Sequence, residues 1–175
     1  ETRLHYHNNN LNDYSYSRYN VRDAISDDIP NLKKVASFMR NDYDRFHSDW
    51  SFDNNYADKY LETYIENSIK GFADVILVPD DFNSDSFLTA NLCKKNWNDI
   101  DYSISKMVLS AVSSETNRGW YLKLISEMTY RLIEEGAKSI YMTTQSTNIA
   151  VLYTWEKLGY KIGRTTHILS FNSND

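Results

Sequence analysis

The clearest periodic segment runs from Asn117 to Glu135. Leu122, Ile125, Met128, Leu132 and Ile133 line one face of it at helical spacing, and Gly136 closes it. Leu32, Val35, Ala36 and Met39 repeat that period earlier in the chain. They follow Ser26-Asp27-Asp28-Ile29-Pro30, small polar cap candidates with a proline in the first turn, and the helix gives out near Asn41. Tyr56, Tyr60, Tyr64 and Ile65 mark a further helix, stopped by Gly71, with the tyrosine stripe as its packed face. Asn148 to Leu158 is the last helix, with Asn148 as N-cap and Gly159 as stop.

Other stretches carry strand patterns. Ala73 to Pro79 is an unbroken apolar run of the kind buried on both faces. A turn at Asp80 to Ser84 joins it to a hairpin partner, Phe87 to Cys93. Asp99 to Ser103 reads as a polar turn and Lys106 to Ser113 as a central strand. Tyr19 to Ala24 is a short early strand; Ser139 to Thr143 and Tyr160 to Phe171 are late ones. The order βαα-ββ-β-α-β-α-β predicts an α/β (mixed α+β) fold, a mixed sheet flanked by helices. Residues 1–18 read as an N-terminal arm or an added edge strand, and residues 19–175 as a single domain. His5 and His7 alternate in that arm, but no carboxylate or third histidine follows at ligand spacing, so no metal is implied.

Composition narrows the function. At 175 residues the chain is one domain, large enough to bury a core without staples. Nineteen basic against 24 acidic residues give a net charge of −5, which argues against a nucleic-acid partner. The one cysteine, Cys93, excludes a disulfide framework and a cysteine-based zinc site, and fits a reducing cytoplasmic setting. No apolar run approaches the roughly 20 residues of a membrane span. The sequence opens at Glu1 rather than Met, so the lack of a visible leader carries little weight. Five glycines make each glycine position informative.

From Val108 to Phe171 the chain resembles the acyl-CoA-binding half of the GNAT superfamily of N-acetyltransferases. The residues that carry this are Ala111-Val112, then Thr116-Asn117-Arg118-Gly119-Trp120-Tyr121, the long helix, the strand Ser139–Thr143, Asn148 and Leu158-Gly159-Tyr160. Two stretches resemble the branch that acylates nucleotide-linked amino-dideoxy sugars for bacterial surface polysaccharides: Thr143-Thr144-Gln145-Ser146-Thr147-Asn148 with Trp155-Glu156-Lys157-Leu158-Gly159-Tyr160, and Tyr43-Asp44-Arg45-Phe46-His47-Ser48-Asp49 with Glu66-Asn67-Ser68 before Gly71. The resemblance implies a GNAT fold: a mostly antiparallel mixed sheet with one splayed parallel strand pair, flanked by helices. It also implies acetyl-CoA or another short acyl-CoA as donor.

Chemistry attaches to these positions as follows. Asn117, Arg118, Gly119, Trp120, Tyr121 and Leu122 form a loop and helix start whose free N–H groups suit a pyrophosphate. The family's other glycine position is Tyr121 here, and its usual Gln/Arg position is Thr116. A backbone N–H near Val112 is expected to hold the thioester oxygen. The family's tyrosine acid stands as Trp155, and indole is a donor but not a useful acid, which leaves the acid open, with Tyr121 as one alternative. His47 is the expected base, with Asp49 to orient it or bind a sugar hydroxyl. Arg45 and Gln145 are expected on the substrate, and Asn148 on the pantetheine arm or as a helix cap.

These readings converge on an N-acyltransferase for a nucleotide-linked amino sugar. The alternatives are a peptide, protein N-terminus, polyamine or drug amine as acceptor, or an acyl-CoA sensor without turnover. The last strand offers an edge that a homodimer can use, and oligomeric state stays open.

Overall fold

The computed structural model of the chain describes residues 1–38, 44–81, 85–113, 119–169 and 171, with Arg45 described by its backbone alone. Among the described residues there are seven strands: β1 (Thr2–Asn8), β2 (Val21–Asp23), β3 (Val75–Pro79), β4 (Ser86–Asn91), β5 (Ile104–Val112), β6 (Ser139–Gln145) and β7 (Lys161–His167). The helices are α1 (Ile29–Phe38), α2 (Arg45–Ser48), α3 (Asn54–Asn67), α4 (Lys94–Ile100), α5 (Trp120–Glu134) and α6 (Ile149–Lys157). The strands form one sheet in the order β2-β3-β4-β5-β6-β1-β7, antiparallel throughout except for the parallel pair β5/β6. Among the described residues no helix is long and apolar enough to cross a membrane.

Alternation along the strands builds two cores. β3 is buried at every position. Its Val75 and Leu77 join one cluster with α5 and α6, while Ile76 and Val78 join a second with α1 and α3. The expected two-faced apolar run is therefore real. On α5, Leu124, Ile125, Met128 and Leu132 are each at most 1% exposed. Burial of side chains of this size contributes about 1.5–3 kcal/mol apiece.

Four expectations change. The N-terminal strand is not an edge: β1 lies between β6 and β7 and is antiparallel to both. Its partner β7 takes the edge, and Gly163 on β7 is what lets the two close up. A Cβ at Gly163 would stand 2.6 Å from His7 Nδ1. Residues 9–20 then return across the molecule to β2 along α5. Tyr130 Oη accepts the Tyr16 N–H, Ser126 donates to the Ser17 carbonyl, and the buried Glu127 carboxylate accepts from Arg18 and the Tyr19 N–H.

The second change is α4, which replaces the expected polar turn and sits between left-handed residues Cys93 (φ 57°) and Asp101 (φ 49°). Third, the tyrosine stripe of α3 is not its packed face. Ala57, Leu61 and Ile65 are buried, whereas Tyr56 is 79% and Tyr60 47% exposed. Fourth, the last strand stops at His167 rather than Phe171.

Candidate functional site

β5 and β6 pair only at their starts, through Ile104–Ser139, Ser105–Ile140 and Lys106–Tyr141. Beyond that point they part. β5 remains on β4, but a bulge interrupts the ladder between Leu88 and Ala90. Buried Thr89 repairs the break with its side chain: its hydroxyl donates to Leu109 O at 3.2 Å and accepts from Leu109 N at 3.0 Å. The Ser113 N–H donates to Asp85 on the β4 side. Strand alternation therefore turns the N–H groups of Val112 and Ser110 the other way, toward the gap.

A cavity of about 240 Å³ occupies that gap. Tyr121, Gln145, Asn148 and Trp155 all line it, so residues distant in sequence and singled out beforehand meet here. Trp155 is buried and tilts against the Tyr6 ring at 5.5 Å. Its Nε1–H donates to Tyr121 Oη at 2.8 Å. Ser110 also lines the cavity. Burial pushes the Tyr121 phenol above its ordinary value, and the bond from Trp155 only partly opposes that. Tyr121 is thus a neutral hydroxyl with its oxygen held in place and a proton to give.

The expected phosphate loop is only partly in view. Asn117 and Arg118 lie outside the described residues. Gly119 is described at φ 76°, a left-handed conformation suited to glycine, and it stands at the N-cap of α5, which begins at Trp120. Trp120 and Leu122 pack partly buried on the core. Lys123 Nζ lies 4.6 Å from the centre of the Trp120 ring and adds a cation to this helix start, a residue not singled out beforehand. Asn148 sits at the N-cap of α6 without capping it; its side chain donates to Thr144 Oγ1 at 3.4 Å.

The far wall of the gap comes from β1 and the α1–α3 side: Arg3, Asp44 and Leu61. His47 is behind Asp44 rather than in the cavity. Its Nδ1 meets Asp44 at 2.7 Å and its Nε2 meets Asp58 at 3.0 Å, and its side chain is 4% exposed. The carboxylates that hold it are therefore Asp44 and Asp58. Asp49 accepts from the Ser51 N–H and hydroxyl in a local turn. Phe46, Tyr60 and Tyr64 border a further recess beside Arg3 and Asp44. Arg3 reaches the site only because β1 enters the sheet, so no local signal in the sequence marked it.

A mixed sheet with one parallel pair that opens midway, helices on both faces and a cavity in the opening is a distinctive arrangement. An acetyltransferase of the GNAT family from Colwellia psychrerythraea superposes with a TM-score of 0.63 at 13% identity, over 92% of this chain and 52% of that one. The fold is the GNAT fold. An aminoglycoside N-acetyltransferase solved in complex with CoA matches 92% of this chain and 98% of its own, with a TM-score of 0.59 and 12% identity. The glucosamine N-acetyltransferase region of a fungal multi-domain beta-N-acetylglucosaminidase gives 0.63 at 14% identity, over 94% of this chain. The chain spans about half of the Colwellia protein and 20% of the fungal one. No family profile matches the sequence, and no curated protein does.

Proposed function

We propose that this GNAT-fold chain is an N-acyltransferase that takes an acetyl or short acyl group from acyl-CoA and places it on the amine of a nucleotide-linked amino sugar. The observation that carries the reading is the opened β5/β6 pair with Tyr121 and Trp155 hydrogen-bonded inside the gap. An unpaired strand edge accepts an extended amide chain as it would another strand. Solved proteins of the same fold include acetyltransferases of aminoglycosides and of glucosamine, which supports an amine on a sugar as acceptor.

Gly119 and the start of α5, with Lys123 beside it, are the groups suited to the pyrophosphate of CoA, and Asn148 and Gln145 to its amide arm. Acyl-CoA supplies an acyl group already activated as a thioester. The chain's own residues supply the rest. The Val112 N–H faces the gap and is available to the acyl oxygen. Tyr121 Oη–H is the proton donor for the departing sulfur, with Trp155 fixing the phenol. Asp44 faces the cavity and attracts the acceptor's amine, and His47, gripped by Asp44 and Asp58, sets the position of Asp44.

The test is release of free CoA thiol from acetyl-CoA. Transfer to a thymidine-diphosphate-linked amino sugar, and none to peptides or polyamines, is the expected result. CoA binding without transfer to any amine overturns the reading.

A further inference from the structure

α1 and α3 cover one face of the sheet over β3, β4 and β5. On the same face β6, β1 and β7 border a second cavity, of about 490 Å³, roofed by α4. Cross-strand register sets out what faces it. Arg3 lies between Gln145 and Thr166, His5 between Thr143 and Arg164, and Tyr141 between His7 and Lys106. Side chains of directly paired residues share a face and stand about 4.5–5.5 Å apart.

These rows gather cations around His5. Arg164, Arg3 and Lys106 all act on its imidazole, adding to the burial that holds it below its ordinary value. Their compensation is slight. Arg3 is paired with Glu1, and Lys106 Nζ lies 5.7 Å from the centre of the Tyr141 ring. Arg164 makes no ion pair among the described residues. In a chain of net charge −5 this is a local excess of positive charge. The other walls combine apolar Trp97, Ile100 and Ile104 with polar Asn96 and Ser139. Trp97 has spent its N–H on the Ile104 carbonyl at 2.8 Å, so its ring is a surface and not a donor.

Of these cations Arg164 lines the cavity itself, and Lys106 stands at its margin against Tyr141. Cations beside aromatic rings suit a phosphate attached to a planar base. The cavity also neighbours the first along the sheet. Arg3 lines the first cavity together with Gln145, and the His5–Arg164 row that lines the second is the next on the same face. We propose that the cavity under α4 binds the nucleoside diphosphate part of the acceptor, with Arg164 and Lys106 toward the phosphates and Trp97 and Tyr141 toward the base. The proposal rests on the acyltransferase reading for the identity of the acceptor, not for the existence of the site.

The experiment is calorimetric titration of thymidine diphosphate into the protein saturated with CoA, so that the CoA phosphate site is already filled. One nucleotide binds per chain, and Arg164→Gln and Lys106→Gln each weaken it about tenfold while CoA affinity stays constant. Arg164→Lys recovers part of the loss. No binding by the unaltered protein, or unchanged affinity in both glutamine variants, overturns the site. Acyl transfer to the free amino sugar as efficient as to its nucleotide-linked form also overturns it, and leaves the acyltransferase intact. Nucleotide binding that depends on Arg164, with no transfer to any amine, supports the site while the acyltransferase reading falls.

Discussion

Under α5 and α6 the sheet meets Leu124, Ile125, Met128 and Leu132, all but inaccessible to solvent. On the opposite face, past β5, the same strands present Arg3, His5, His7 and Tyr141. β1 shows the contrast within neighbouring residues. Tyr6 is buried against Trp155, and burial together with its bond to Glu156 pushes its phenol up to about 12. His5 and His7, one step either side, point the other way into a cavity. One face is closed by apolar packing and holds the fold. The other keeps charge and hydrogen-bonding capacity in reserve, and the β5/β6 opening connects the two.

The hardest blow to this contrast falls on the closed face. Leu124→Ala should cost about 2–5 kcal/mol of stability, read as a lower urea midpoint. An equal loss from Arg164→Ala on the open face would erase the distinction. Next comes the opening itself. Tyr121→Phe should keep the fold and lower kcat about 100-fold, with little change in acceptor KM. An unaltered kcat removes Tyr121 as proton donor.

Thr89→Val tests how the bulge is kept. It leaves the Leu109 N–H and carbonyl without their partner and should cost about 1–3 kcal/mol, visible as a lower Tm. Smallest is an effect of pH at the surface. Lys33 and Lys70 bridge to Glu66 at 2.7 and 2.6 Å and hold its carboxyl down to about 2. Because the folded value lies below the ordinary 4.5, the contribution is complete above that pH and is lost as pH falls toward 2. The Glu66 side chain is only part-buried, at 28% exposure, so screening keeps the effect slight. Glu66→Gln should flatten the acid limb of stability by a small amount, and an unchanged limb would show that the bridge contributes nothing.

Much of the fold was legible because apolar period and burial agree. The β3 run, the α5 face and the stops after α5 and α6 followed from local pattern, and Tyr121, Asn148 and Trp155 were marked before the structure joined them. The misses have physical causes. Lys94–Ile100 has only Trp97 and Ile100 as large apolar residues, and its left-handed flanks are Cys93 and Asp101 instead of glycine, so nothing announced a helix. On α3 two stripes share a four-residue spacing. Tyrosine counts as hydrophobic in a pattern, yet the smaller aliphatic stripe packs closer to α1. Residues 1–18 read as an arm or an added edge strand, because the partners of β1 lie across the whole chain and strand pattern does not encode partner identity. Arg3 and the cation rows follow from that pairing alone and were hidden with it.

The position of β1 also bears on how the protein is made. Thr2 and His167 touch, 165 residues apart. On the ribosome β1 can complete its pairing only after β7 has emerged. Until then its polar edge waits unpaired, and the closing contacts carry a high contact order, which slows folding. Assembly of β6, β1 and β7 is therefore expected as the final event of folding, and loss of residues 1–8 would strand β7 with no neighbour to join.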